Sequence, residues 1–437
     1  MNTLKQNQMI FVVLFIVLFA LLIFHSVLIP GNILFSTDDP LGNIVQGKAQ
    51  MPYSFIACWS ESPFFGFGLG RASLSWNAFW LLLLPATVFK NCFHALNLVG
   101  ASFFLALFLR ERGLGLPAQI IGMLTAFWLG SNFTLVYASH YLKFSTMFLA
   151  MAALCCITRA IRQRSLAWST VSGGVIGLMM LEQQDVALFI GIFWAAFALY
   201  EFIRLEGLNI PALFVRFVPM LICALLICGP NLLTAYAANV GVVKDKSSAI
   251  DEESPRQKWE FTTQWSWPPE ECIDFIAPGY MGWRTGEPEG PYWGRMGRSA
   301  GWEETKQGFI NFKLENHYLG AIPIFLALFA VCAALIRKRA DEQSALNPRD
   351  EYRSEIIFWT CAAVVALLLS FGKFFPLYAL FYQLPLVSSI RNPNKFLHVF
   401  QIAMGILAAY GFDIVARSHM TNTSVLHKQK QDVCKRN

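Results

Sequence analysis

The sequence predicts an all-α polytopic membrane protein of about ten transmembrane helices. The first observation is composition, because 55% of its 437 residues are hydrophobic and only 14% are charged. An average soluble domain is about 25% charged. The second is a mean hydropathy of +0.47, and the third is a 15% aromatic content with 39 Phe and 13 Trp, which suits a bilayer and its interfaces. Disordered chains, coiled coils and ordinary soluble enzymes are excluded.

Apolar runs of about 20 residues, the length that crosses a bilayer as a helix, set the predicted spans. The first is interpreted as an uncleaved anchor because no small-residue cleavage site follows Ile29. The predicted spans are 9–29, 93–110, 117–138, 144–160, 166–182, 186–203, 212–235, 319–336, 356–372 and 396–415.

The positions of lysine and arginine predict which side of the membrane each loop faces, because loops rich in these residues stay cytoplasmic. With the N-terminus inside, the basic clusters at 110–112, 159–164, 204–216, 337–353 and 417–436 all lie inside. Both termini are therefore expected in the cytoplasm. The net charge is +6. The basic residues flank the spans and are not arranged as in a nucleic-acid-binding patch, so no nucleic-acid partner is expected.

The predicted organisation has four parts. Residues 1–235 form an N-terminal membrane region of about seven spans, whose first outer loop is 30–92. Residues 236–318 are an extracytoplasmic segment, interpreted either as a lid over a membrane-level cavity or as a passive loop. Residues 319–415 add about three spans, and 416–437 form a basic cytoplasmic tail.

Two further apolar runs, 74–89 and 374–387, are short and broken by prolines. Segments of that length favour re-entrant or interfacial placement, here on the outer side. Cys58 and Cys272 also lie outside in this topology. Whether they pair or are unrelated thiols is left open by the sequence.

Asp38 and Asp39 follow the first span, near the outer bilayer surface. A carboxylate there can act as a general base for an acceptor hydroxyl or hold a divalent cation. No cofactor is certain, and the metal requirement is unknown. The alternative is a solvated Asp-Pro turn ending at Pro40.

His140 and Lys143 lie at the outer junction of the third and fourth predicted spans. Cations there can bind a phosphate head group, although interfacial anchoring by snorkelling side chains explains them as well. Glu182 and Asp185 interrupt the apolar run between the fifth and sixth spans. A carboxylate at membrane level is a functional candidate; the alternative is a polar helical hairpin.

Arg391 and Lys395 stand four residues apart beside Pro393, before the last span. They can form a phosphate clamp or anchor the interface. Aromatic residues of the outer segment can stack on sugar or lipid, or simply form the interfacial belt. These are Trp265, Trp267, Tyr280, Trp283, Tyr292, Trp293 and Trp302.

The order of several motifs resembles the bacterial YfhO-like membrane protein family. The C-terminal motifs are SFGKFFPLY at 370–378, Leu-Pro at 384–385, IRNPNKF at 390–396 and AAYGFD at 408–413. Earlier in the chain, similar motifs occur at 38–40, 139–143, 181–185, 265–270, 278–280 and 292–294. The resemblance is scattered over most of the chain.

The resemblance implies a GT-C-like fold, and with it a glycosyltransferase in a bacterial plasma membrane. Such an enzyme moves a sugar from a polyprenyl-phosphate-linked donor to a cell-envelope glycan or lipid acceptor on the outer face. It implies that Asp38 or Asp39 is the catalytic base or metal ligand. It also implies that His140, Lys143, Arg391 and Lys395 hold the donor phosphate, and that Glu182 and Asp185 line the cavity.

The chain departs from the family pattern at two positions. The histidine of the family motif that 181–185 resembles is absent, and Lys395 stands where the family has a second arginine, which keeps the charge but loses bidentate geometry. Two other functions therefore stay open: a carrier or flippase for a lipid-linked saccharide, and a non-catalytic scaffold descended from the family. The sugar, the acceptor and the oligomeric state are not predicted.

Overall fold

A computed structural model describes most of the chain. The described residues are 2–56, 58–60, 67–69, 72–245, 254–282, 292–299, 301–308, 310–311, 313, 316–336, 348–384 and 387–434.

Helices dominate the structure. Those of the first half are α1 (Asn2–Ile23), α2 (Leu41–Ala49), α3 (Trp76–Leu83), α4 (Ala86–Glu111), α5 (Leu116–Phe127), α6 (Ser131–Ala138), α7 (Tyr141–Arg162), α8 (Leu166–Glu182) and α9 (Gln184–Glu206). Those of the second half are α10 (Ile210–Asp245), α11 (Pro255–Thr262), α12 (Trp302–Thr305), α13 (Ala321–Leu335), α14 (Pro348–Ser370), α15 (Pro376–Tyr382) and α16 (Leu397–Cys434). One small antiparallel ribbon pairs β1 (Cys58–Ser60) with β2 (Phe67–Leu69).

Six described helices, in α4, α7, α9, α10, α14 and α16, are long and apolar enough to cross a membrane. The count rises to seven if α5 and α6, which meet at a 45° bend, form one span. Three shorter apolar stretches, Gln8–Ile23, Leu166–Glu182 and Ala321–Leu335, coincide with three more predicted spans. The helical, multi-pass membrane class therefore holds, while ten spans and a GT-C fold stay predictions.

Helix α7 lies at the centre of the bundle, with 89% of its apolar window buried, whereas the window in α10 is only 11% buried. Glycines allow the close crossings around it. A side chain at Gly122 of α5 would meet the Gly405 carbonyl of α16 at 3.2 Å, and one at Gly177 of α8 would meet Ile227 of α10 at 2.8 Å. Small residues at crossings are typical of helices that pack within lipid.

The third predicted span is broken rather than continuous. Gly130, between α5 and α6, has φ +41°, and a Cβ there would lie 2.6–2.8 Å from the backbone of Asn316 and Tyr318. The outer segment therefore presses directly on the break, and only glycine fits. The first helix also differs, since it ends at Ile23 and a 3-10 turn spans His25–Leu28.

The two proline-broken runs form short helices, α3 in the first and α15 in the second. Ser75 caps α3 by accepting from the Ala78 amide, and Pro376 opens α15. Helix α4 then begins at Ala86, seven residues before the start of the predicted span. Their interfacial or re-entrant placement stays a prediction.

We call the end of the bundle where α7 and α9 begin the site end, and the opposite end the far end. At the far end a buried charge cluster joins α4, α9 and α14. Arg112 binds Glu201 at 2.7 Å and Glu355 at 3.1 Å, and all three side chains are at most 5% exposed. Arg162 and Arg204 add bonds to Glu201 of 2.7 and 3.0 Å.

Described parts of the outer segment fold against the site end. The Trp267 amide donates to the Ser370 carbonyl at 2.8 Å, and the Asn394 amide donates to the Trp265 carbonyl at 3.1 Å. A fully buried ion cluster holds this segment together: Lys313 bonds Glu271 at 2.8 Å and also bonds Asp274. Its role as a lid stays a prediction. Cys272 is a free cysteine.

Candidate functional site

The start of α7 carries a histidine–carboxylate pair. The backbone reverses between α6 and α7, where Ser139 adopts φ +64° and its amide donates to the Val136 carbonyl at 3.0 Å. This turn aims His140 at the loop after α1, and its Nε2 lies 3.0 Å from Oδ2 of Asp38. The Asp38 side chain is 57% exposed and that of His140 is 29% exposed, so a solute can reach both.

A buried lysine of α4 fixes the two segments that carry this pair. The Lys90 ammonium donates to the Asp39 carbonyl and to Ser139 Oγ, each at 2.7 Å, and also to Ser36 Oγ. Lys90 is 2% exposed. Sequence reasoning did not select it as a site residue, although a lysine inside an apolar helix is a signal that points to such a role.

Asp39 is held differently from Asp38. The Tyr141 side chain, in the first turn of α7, forms a hydrogen bond with the Asp39 side chain. The two neighbouring acids therefore have separate partners, and Asp38 is the more accessible base.

Glu182 ends α8 at the same place. Its carboxylate accepts from the Asn77 amide at 3.1 Å and from Asn77 Nδ2 at 3.0 Å, and it interacts with the Ser145 hydroxyl of α7. These donors satisfy the carboxylate and attach α3 to α7 and α8. Lys143, from the same first turns of α7, is buried at 4% exposure.

Asp185 and Lys395, both predicted to contact substrate, bind each other. Asp185 begins α9 and Lys395 lies in the 3-10 turn before α16, and their side chains are 25% and 9% exposed. Beside them the rings of Phe189 and Phe396 stack at 4.0 Å. A phosphate at Lys395 would have to compete with the Asp185 carboxylate.

Arg391 has different neighbours from Lys395. Its guanidinium stacks 3.9 Å from the centroid of Phe261 and donates to Gln264 at 3.4 Å. Both neighbours belong to the outer segment, so Arg391 bridges that segment to the bundle. Partial burial lowers the pKa of Arg391 from its ordinary value.

The aromatic residues of the outer segment differ in exposure, and Trp265 and Trp302 are partly buried. Trp267 and Tyr292 are buried, and Trp267 stacks on Phe275 at 5.7 Å, so these two are core residues. Tyr280 and Trp293 are 61% and 63% exposed and are available to a ligand. Trp283 lies outside the described residues.

An apolar cavity of about 400 Å³ opens beside the polar cluster. Trp76, Trp80, Leu96, Phe104 and Phe148 are among the residues that line it. Trp76 Nε1 donates to Asn97 Oδ1 at 3.1 Å, and the next residue is Asn77, which binds Glu182. A polar site and an apolar cavity therefore lie next to each other.

Another residue that sequence reasoning missed is His94, one turn after Lys90. It is 2% exposed, its ring meets the Phe144 ring edge-on at 4.9 Å, and neither nitrogen has a hydrogen-bond partner among the residues described. A buried polar group without a partner is costly.

The described donor residues are spread too widely to form a divalent-cation site. Nowhere in the described part of the chain do three or more His, Cys, Asp or Glu side chains gather in a group that can hold a metal ion. Asp38 and His140 supply two donors, and Asp39 is engaged by Tyr141. No catalytic step is therefore assigned to a metal.

Comparison with known proteins adds no assignment: no protein-family model matches the chain, and a search of curated proteins finds no match.

Proposed function

We propose that the protein is a membrane glycosyltransferase that moves a sugar from a polyprenyl-phosphate-linked donor to a cell-envelope acceptor on the outer face. The observation that carries the proposal is the accessible Asp38–His140 pair, with Oδ2 and Nε2 3.0 Å apart. General-base chemistry needs a carboxylate held in place and open to the acceptor. Asp38 meets both conditions.

The proposed reaction is a direct displacement at the anomeric carbon. The acceptor oxygen forms a bond to that carbon while the bond from the carbon to the phosphate oxygen breaks. The acceptor proton passes to Asp38, and the electron pair of the broken bond leaves with the polyprenyl phosphate. His140 orients the carboxylate, and in its protonated form it stabilises the negative charge near the leaving group.

The apolar cavity beside Trp76 supports a lipid-linked donor. A polyprenyl chain needs an apolar wall next to the polar head-group site. Trp76 lines the cavity of about 400 Å³, and the next residue, Asn77, binds Glu182. In this arrangement Asn77 and Glu182 shape the cavity wall rather than react. The proposal assigns the donor phosphate to the cations Lys143, Arg391 and Lys395, and at Lys395 the phosphate displaces the Asp185 carboxylate.

One observation favours a second function, a carrier for a lipid-linked saccharide. Helices α5 and α6 meet at a 45° bend, the geometry of a broken span or a re-entrant loop, and discontinuous helices are typical of transporters. If the eroded-scaffold alternative holds instead, neither sugar transfer nor lipid movement is expected.

The test uses purified full-length protein in nanodiscs, supplied with a panel of polyprenyl-phosphate hexoses and an envelope extract as acceptor. Asp38→Asn is expected to abolish transfer, whereas Glu304→Gln, a change at an acid whose side chain is 60% exposed, keeps it. Full transfer by Asp38→Asn contradicts the proposal. Movement of labelled lipid across vesicles without sugar transfer favours the carrier.

A further inference from the structure

A large cleft lies at the far end of the bundle, away from the candidate site. It encloses about 1060 Å³ between α1 and α4 and reaches the loop after α4. Helix α1 contributes Met9, Val13 and Leu14, and α4 contributes Phe103 and Leu107. The walls that these two helices form are therefore mainly apolar.

One cation stands at the open end of this cleft. Arg110, in the last turn of α4, lines the cleft, and no described carboxylate lies within 4 Å of it. The neighbouring Glu111 also lines the cleft, but Arg159 neutralises it through bonds of 2.9 and 2.6 Å. Among the described residues Arg110 thus has no acidic partner, and it lies beside apolar walls.

The dimensions suit a lipid with a charged head. Phe103 and Arg110 are seven residues apart on α4, which places them about 10 Å apart along the helix. Phe103 and Val13 also line the apolar cavity near the site end. A head group at Arg110 can therefore direct an acyl chain along the apolar walls as far as Phe103, where the cavity assigned to the polyprenyl donor begins.

The packing of α1 leaves room for a lipid there. Only one face of the helix, with Val12, Ile16 and Ala20, is buried against the bundle, while Ile10, Leu14 and Leu18 are 53%, 56% and 64% exposed. We propose that an anionic phospholipid from the adjoining leaflet binds this cleft, with its phosphate at Arg110 and an acyl chain between α1 and α4. The lipid fills the gap that α1 leaves against α4.

Native mass spectrometry and thermal shift test this on the full-length protein, with phosphatidylglycerol compared with phosphatidylcholine. We expect phosphatidylglycerol to bind and stabilise the wild type. Arg110→Gln is expected to weaken binding about tenfold, the loss of one charge-assisted contact, while Arg110→Lys retains most of it. Arg164→Gln, at a basic side chain 66% exposed and outside the cleft, is the matched control.

A second variant tests the apolar half of the cleft. Leu14→Trp fills the cleft from an exposed position, so it leaves the buried face of α1 intact and is expected to lower phosphatidylglycerol binding. Equal binding of the two lipids, or unchanged binding in both Arg110→Gln and Leu14→Trp, overturns the proposal.

Discussion

Nε2 of His140 lies 3.0 Å from Oδ2 of Asp38, although 102 positions separate the two residues. The contact joins the loop after α1 to the first turn of α7. Because the carboxylate remains 57% exposed, the pair is both positioned and accessible.

Replacement of Asp38 gives the first prediction. Asp38→Asn keeps the shape but removes the base, so the turnover number for sugar transfer is expected to fall by about 10²–10⁴-fold, the usual contribution of a general base. Asp39→Asn is expected to have a smaller effect because Asp39 is bonded to Tyr141. Initial rates with the polyprenyl-phosphate sugar measure both, and the reverse ranking would assign the base to Asp39.

The second prediction concerns the Asp185–Lys395 ion pair. Lys395→Met leaves a partly buried carboxylate without its cation, so we expect a lower thermal unfolding temperature. The double change Asp185→Asn with Lys395→Met removes both charges and is expected to recover much of that stability. A double-mutant cycle in detergent measures the coupling. Additive effects would show that the pair is not a structural contact.

The third prediction concerns Lys313, whose side chain is 0% exposed between Glu271 and Asp274. Lys313→Met leaves two buried carboxylates without their cation. The free energy of local opening is therefore expected to fall by about 3–5 kcal/mol. Amide hydrogen exchange in residues 267–282 reports that opening. The control is Arg295→Gln, which breaks a pair with Glu270 whose side chains are 53% and 41% exposed and should cost at most about 1 kcal/mol. Equal exchange in both variants would contradict a supporting role for the buried cluster.

The fourth prediction concerns the break between α5 and α6. Gly130→Ala places a Cβ 2.6 Å from the Asn316 carbonyl oxygen at φ +41°, so a marked fall in unfolding temperature is expected. Gly191→Ala in α9 is the control, because a Cβ there meets nothing within 4 Å and alanine favours helix. An unchanged unfolding temperature in Gly130→Ala would show that the outer segment can move off the break.

The fifth prediction is a pH dependence. Burial raises the pKa of the Cys272 thiol from 9.0 to about 11. Only the thiolate reacts with maleimide, so at pH 8 labelling should be about 100-fold slower than for an ordinary thiol. The labelling rate is expected to keep rising tenfold per pH unit up to about pH 11. Peptide mapping by mass spectrometry gives the labelling rate of Cys272. The control is the labelling rate of the same cysteine in protein unfolded by SDS. A rate that levels off at pH 9 would contradict this.

Composition and apolar run length predicted the membrane class and the approximate place of each apolar helix, because lipid imposes both. The break at Gly130 was not predictable, since it depends on the backbone of residues 316–318 arriving from another part of the chain. The pattern of apolar residues within 117–138 does not indicate that contact.

The candidate site was predicted by residue type but not by partner. Asp38 and His140 were selected separately, and the fold joins them. Asp185 and Lys395 were both expected to face a ligand, yet they bind each other across 210 positions. Lys90 was missed because the predicted span began at residue 93, after it, whereas α4 begins at Ala86. Its three acceptors also come from two loops that are distant in sequence.

The Arg112–Glu201–Glu355 cluster has a consequence for biogenesis. The ribosome makes Arg112 first and Glu201 89 residues later, and Glu355 comes last. Arg112, the residue after α4, therefore gains its full set of carboxylate partners only when α14 has joined the bundle. The ion cluster that joins these helices is thus complete only after the last third of the chain has been made.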